Sequence, residues 1–230
     1  MATIKVLSAG AVKRGVTQIA SEFERSTGNR VTVEFTPVPD LRKRIAAGET
    51  ADVIVATPAA MDEFAKQGKI ATDSRGFVGR SRMGVVIHAG APVPEIRDTA
   101  GFSKAILGAI AVVYNEASSG LYAAKLVEKL GLKAALDSKI VVVQGGAAVM
   151  EYVAAHPGAV GLAQISELMV LMDKGCTVKP AAPLPDEIQN LTSYDAAAVA
   201  SSAAADAARG LARALSADAD KKVFAATGID

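Results

Sequence analysis

Cysteine, histidine and aromatic residues are all scarce in this 230-residue chain. There is one cysteine, Cys176, and there are two histidines, His88 and His156, far apart. A single cysteine excludes an intrachain disulfide, and with two distant histidines it cannot build a Cys/His metal cluster. No metal and no cofactor are expected. Tryptophan is absent and aromatics make up 4% of the chain, whereas hydrophobic residues make up 50%. The core must therefore come from Ala, Val, Ile and Leu, which suits helices packed on a sheet. Neither sign of charge dominates: 25 Lys and Arg against 24 Asp and Glu leave a formal net charge of +1. That balance provides no field to draw the whole molecule onto nucleic acid or a membrane surface. The longest apolar runs fall well short of a membrane span. No nucleic acid, no stable membrane insertion and a monomeric state are the expectations.

The first third of the chain alternates strand and helix. Strands are predicted at Ile4–Leu7, Val31–Phe35 and Asp52–Ala56, and helices at Val12–Arg25, Leu41–Ala47 and Pro58–Gln67. Val12, Val16, Ile19, Ala20 and Phe23 share one helical face, and Gly28 and Gly48 end the first two helices. This βαβαβα order calls for an open parallel sheet. Arg82–His88 then reads as a long strand able to carry the chain into a second domain, followed by a turn over Ala89–Pro94. The theme returns with strands at Ile110–Tyr114, Ile140–Val143 and Ala159–Ala163, and helices at Ser118–Leu130 and Ala147–Ala155. The tail adds a strand at Tyr194–Ala200 and helices at about 202–215 and 218–227, which return to complete the first domain. The expected architecture is α/β and two-lobed, with two chain crossovers and a cleft between the lobes. Lobe I takes residues 1–81 plus 190–230 and lobe II residues 82–189, each a mainly parallel sheet flanked by helices.

The first strand enters its helix through Ser8-Ala9-Gly10-Ala11-Val12-Lys13. Such a junction leaves the N–H groups of Ala11, Val12 and Lys13 open at a helix N-terminus, where an anion docks. Small side chains admit the ligand and Lys13 adds positive charge. The alternative is a tight turn with a solvated lysine.

Several segments resemble the type II periplasmic binding proteins, in particular their molybdate-binding branch. They are A-G-A-V-K, F-E-R-S-T-G-N-R-V-T-V, A-G-E-T-A-D-V-I-V-A, M-D-E-F-A-K-Q-G-K-I, R-S-R-M-G-V-V-I, Y-A-A-K-L-V-E-K-L-G-L and G-A-V-G-L-A-Q-I-S-E-L, and they span nearly the whole chain. The resemblance implies the two-lobed type II fold, hinge closure on a small anion and an ABC permease as partner. The pocket departs from the molybdate pattern. Ala11 stands where the branch commonly has a serine, Thr36-Pro37-Val38-Pro39-Asp40 where it has a second one, and Ala163-Gln164 where it has a tyrosine. A buried oxyanion without donors is costly, so the expected ligand is a carboxylate-type organic acid rather than molybdate. The chain also resembles aconitate isomerase, an enzyme built on this fold. No basic region, apolar core and cleavage site mark an export signal at the start. The expected location is therefore periplasmic if a signal was removed, and cytoplasmic if Met1 is the native start.

The candidate ligand-binding set begins with Gly10, Ala11, Val12 and Lys13, and with Thr57 at the third strand–helix junction. Arg80 and Arg82 share one side of an extended segment and could grip a carboxylate in bidentate fashion; otherwise they are surface arginines at a hinge. In Glu116-Ala117-Ser118-Ser119-Gly120, the hydroxyls of Ser118 and Ser119 and the N–H of Gly120 are candidate donors, with Ser118 as a helix N-cap the alternative. Gly145 and Gly146 permit positive φ and close backbone approach, or simply make a turn. Gln164 can both donate and accept, with a helix-entry role for Ser166 as the alternative. Asp40 caps the basic helix or acts as a base; His88 reads as structural, and Arg42, Lys43 and Arg44 as a solvated face. Lys13, Asp40 and Glu116 are the candidate bases if the protein is an enzyme. The leading reading is a solute-binding protein for a small anion. The second is a cofactor-independent isomerase that moves a proton beside a carboxylate in the same cleft.

Overall fold

The computed structural model describes residues 1–218 and 221–230, which fall into two units. Unit 1 is Met1–Ser81 with Thr192–Asp230, and unit 2 is Arg82–Leu191. Asn190 stays with unit 2, where its carbonyl accepts the Met83 N–H at 3.3 Å, so the return crossing falls two residues later than expected.

Unit 1 runs β1 (Thr3–Ala9), α1 (Lys13–Thr27), β2 (Arg30–Thr36), α2 (Val38–Ala46), β3 (Val53–Ala56) and α3 (Pro58–Lys66). β4 (Gly76–His88) begins in unit 1 and ends in unit 2. Unit 2 continues with α4 (Thr99–Gly108), β5 (Val112–Asn115), α5 (Ser118–Lys129), α6 (Lys133–Leu136), β6 (Ile140–Val143), α7 (Gly145–Ala155), β7 (Val160–Gln164), α8 (Ile165–Asp173) and β8 (Val178–Pro183). β9 (Leu191–Ala198), α9 (Ala205–Ser216) and α10 (Lys221–Ala225) close the chain. Part of the helix expected over 218–227 lies outside the described residues.

In unit 1, β1 pairs in parallel with β2 and with β3, and β9 adds an antiparallel strand to β3. All four residues of β3 are buried, as a strand covered on both faces requires. Alternation divides them: Val53 and Val55 pack with α1, α9 and α10, whereas Ile54 and Ala56 pack with α2 and α3. Gly28, at φ 71°, ends α1 and donates its N–H to Glu24, whose carboxylate accepts the Val31 N–H at 2.7 Å. Helix and next strand are thus locked together by one side chain.

Unit 2 repeats the plan. β5 pairs in parallel with β6 and β7, and β4 runs antiparallel to both β7 and β8. Val112 and Tyr114 face α4 and α5, and Val113 faces α7 and α8. The mainly parallel α/β architecture is borne out, with antiparallel strands at one side of each trio.

β4 starts at Gly76, well before the expected Arg82. Its first half is extended because the chain terminus pairs with it: Arg80 and Asp230 exchange backbone hydrogen bonds of 2.6 and 2.9 Å. α4 was not expected from its glycine-bearing sequence. Asp98 caps it, accepting the Gly101 N–H at 2.7 Å, and Phe102 and Ile106 anchor it. β8 was likewise not expected, whereas α8 starts at the helix entry read as the alternative for Ser166. The basic run of α2 is paired rather than simply solvated: Arg44 bonds Glu34 and Glu49, Arg42 lies 3.1 Å from Glu63, and Lys43 lies 3.3 Å from Asp40.

With so few aromatics, Phe224 carries the docking of α10. It is 2% exposed, and its ring fills the space where a side chain at Gly15 of α1 would stand. Phe224→Ala is expected to cost about 3–5 kcal/mol, read as a lower urea midpoint.

Candidate functional site

Each unit has a topological switch point. β1 lies between β2 and β3, and β5 between β6 and β7. The chain leaves the central strand toward one side and returns past it to the other. Consecutive helices then cover opposite faces, and the loops after the two adjacent strands diverge. Open α/β sheets bind ligands at the carboxyl ends of strands at such a point.

In unit 1 the switch point joins the turn after β1 to the junction after β3, since Ser8 is registered with Val55. After Ala9 the chain makes one tight turn, Gly10–Val12, before α1. The Lys13 N–H is bonded to the Gly10 carbonyl, so it is not the open donor expected from sequence. Ala11 and Val12 bury their side chains, and a side chain built on Gly10 would meet nothing within 4 Å. Lys13 is exposed, its ammonium 5.2 Å from the Phe35 ring centroid, a cation–π distance. The Ser8 hydroxyl is buried and donates to the Ala9 carbonyl at 3.1 Å. Thr57 stands at the N-cap of α3 but makes no side-chain capping bond.

Asp40 does not cap α2. Pro37 occupies that position, and Asp40 sits inside the first turn with its carboxylate toward Lys43. Arg80 and Arg82 fall in different units. Arg80 lies over the Phe77 ring at 5.8 Å, and Arg82 is 3.8 Å from Asp186. His88 accepts the Gly90 N–H at 3.0 Å through Nδ1, a turn-forming role.

In unit 2 three junctions share one sheet edge, those after β5, β6 and β7. The first is organised by Asn115, 2% exposed. Its amide oxygen accepts the N–H of Ala117 at 2.9 Å and of Gly120 at 3.2 Å, and its amide nitrogen donates to the Ser119 hydroxyl at 3.2 Å. The Gly120 N–H and Ser119 hydroxyl expected to face a ligand are therefore engaged. A Cβ on Gly120 would lie 1.5 Å from the Asn115 carbonyl, so only glycine fits there. Ser118 is not the N-cap; Ala117 is, which leaves Ser118 exposed as the first residue of α5. Glu116 is exposed, and its N–H donates to the Val143 carbonyl at 3.1 Å. Gln164 is buried at the N-cap position of α8.

The pair Gly145-Gly146 opens α7. Gly145 adopts φ 76°, and Gly146 admits a neighbour: a Cβ there would lie 2.0 Å from Glu167 Oε2. Glu167 is in the first turn of α8. Its Oε2 is buried and has no hydrogen-bond partner among the described residues. Burial away from water pushes the carboxyl up to about 7. The structure thus brings Gly145, Gly146 and Gln164 to one edge with Asn115 and Glu167. Sequence reasoning missed both of the last two. Asn115 had a signal, a polar residue closing an apolar strand before a Ser-Ser-Gly turn. Glu167 had none, because its partner surface lies 21 residues away at Gly146.

The profile of the family described as bacterial extracellular solute-binding protein matches residues 4–230. The chain belongs to that family. Aconitate isomerase from Pseudomonas sp is 28% identical over 215 residues, covering 91% of this chain and 80% of that one. Among solved structures, the periplasmic molybdate-binding protein of Azotobacter vinelandii superposes with a TM-score of 0.79 at 16% identity, covering 99% of this chain and 98% of that one. The substrate-binding domain of a molybdenum ABC transporter from Clostridium difficile gives 0.77 at 18%, covering 100% and 99%. A sulfate-binding protein from Mycobacterium tuberculosis gives 0.76 at 18%, covering 100% and 86%. At these identities the likeness is one of fold, the type II periplasmic-binding-protein fold.

Removing the Asn115 side chain leaves buried N–H groups at α5 unpaired. Asn115→Ala is expected to cost about 1–3 kcal/mol by chemical denaturation. Glu167 acts in the opposite sense. Its folded value of about 7 lies above the unfolded carboxylate value of about 4.3. Ionisation of the unfolded chain then lowers stability progressively as pH rises from about 4 to 7. Glu167→Gln is expected to remove that decline, gaining stability relative to wild type between pH 4 and 7 in melting curves.

Proposed function

We propose that the chain is a solute-binding protein that works outside the cytoplasmic membrane, holds a small carboxylate-type organic acid and hands it to an ABC permease. The family membership supports solute binding. The observation that carries the ligand class is the scarcity of available hydroxyls at the two switch points. Gly10, Ala11 and Val12 have none, Ser8 turns its hydroxyl to the Ala9 carbonyl, and Ser119 is engaged by Asn115. A tetrahedral oxyanion stripped of water needs many short donors. A carboxylate is served by fewer, and its charge by a cation such as Lys13 and by helix amino ends. Within unit 1, Gly10–Lys13 and Thr57 are the residues proposed for anion contact; within unit 2, they are Ser118, Gly145, Gly146 and Gln164. The similarity to aconitate isomerase favours a di- or tricarboxylic acid.

A second reading, isomerisation of such an acid, is favoured by one observation. Glu167 is a carboxyl with an unpartnered oxygen and a value of about 7, which suits proton transfer near neutral pH better than exposed Glu116, Lys13 or the Lys43-paired Asp40.

The test is a thermal-shift panel of molybdate, tungstate, sulfate and di- and tricarboxylates. A ligand at a hundredfold its Kd adds about 2.7 kcal/mol of stability. Stabilisation by an acid, with molybdate inert, is the expected result. A molybdate shift with no acid shift defeats the carboxylate reading. Conversion of aconitate, followed by proton NMR, moves the protein to the second reading.

A further inference from the structure

Two polar side chains at the unit 2 edge, Asn115 and Glu167, differ in one respect. Asn115 is satisfied by its own loop, whereas Glu167 Oε2 has no partner among the described residues. A carboxylate oxygen buried without a partner is costly to keep. It lies against Gly146, at the amino end of the 11-residue helix α7, in the space a side chain there would fill. Resting on the carboxylate-binding reading above, we propose that Glu167 is the proton-carrying group of the unit 2 site and donates its carboxyl hydrogen to a carboxylate oxygen of the bound acid. The step balances simply. An O–H···O⁻ hydrogen bond forms, the proton is shared within the pair, no bond to carbon breaks, and the pair carries one negative charge throughout. Only as a neutral acid does a glutamate attract an anionic ligand instead of repelling it.

The surroundings support that state. α8 packs against α7, β7, β8 and, through Ile165, β4. The titratable and charged groups on those elements are Glu151 and Tyr152 of α7 with His156 just after it, Lys179 of β8, and Arg80, Arg82 and His88 of β4, with Asp173 on α8 and Cys176 just after it. His156 stacks on Tyr152 at 4.0 Å, His88 holds its turn, Arg82 faces Asp186, and Glu151 acts on Cys176. Burial alone displaces Glu167.

The test is calorimetry with trans-aconitate, citrate and tricarballylate between about pH 6 and 8.5, in buffers of different ionisation enthalpy. For wild type, affinity is expected to hold below about pH 7 and to fall toward tenfold per pH unit above it, with about one proton taken up per ligand. Glu167→Gln keeps a donor and loses the titration, so its affinity is expected to stay within about threefold across the range. Gly146→Ala sets a methyl against Oε2 and is expected to weaken binding about tenfold or more in a folded protein. A carbon-13 titration of the ligand-free protein should place the Glu167 midpoint near 7; a midpoint in the ordinary carboxylate range overturns the proposal without any ligand. If the acids bind but wild type and Glu167→Gln share one pH slope, the proposal falls and the carboxylate reading stands. If folded wild type binds none of them, the carboxylate reading itself fails.

Discussion

Two sets of three parallel strands, each covered by helices on both faces, set the constraint on which the rest of the molecule depends. A strand such as Val53–Ala56, buried on every residue, leaves no room for polar side chains except at its ends. The central strand of each trio is left on one side and passed on the other. The next helices must then begin on opposite faces, and their amino ends meet at the same carboxyl edge. Backbone donors accumulate there for a topological reason, before any ligand is considered.

That edge is finished differently in the two units. In unit 1 it is nearly bare of side-chain chemistry: Gly10 opens space, Ala11 and Val12 bury themselves, and Lys13 rests near Phe35. In unit 2 side chains dominate. Asn115 ties the start of α5 to the end of β5, and Gly120 lets the two backbones touch. Gly146 admits Glu167, whose displacement comes from lost water and not from a neighbouring charge. A satisfied amide and an acid with one unpartnered oxygen at one edge make natural candidates for scaffold and chemistry, respectively.

Much of the fold was legible because its signals are local. Gly28 ended α1 where a left-handed residue was called for, and the Ile140–Val143 strand matches its expected span. The misses share a cause. The first half of β4 is a strand because Asp230 pairs with Arg80, a partner 150 residues away. α4 survives its glycines because Phe102 and Ile106 find a core. Among the candidate site residues, those offering backbone N–H groups were the least readable. Whether the N–H of Lys13 or Gly120 is open depends on which acceptor the fold brings near, and in both cases one was waiting.

By itself, the sequence determined the class of the protein: an α/β chain with an aliphatic core, strand–helix junctions of small residues, and no dominant charge. Periodicity and turn chemistry act over a few residues, so they survive without a partner. Only the tertiary structure decided which polar groups are engaged and which are not. Asn115 and Glu167 owe their opposite states to neighbours from the turn of α5 and from Gly146, and burial is a property of the whole packed unit that no single stretch of chain contains.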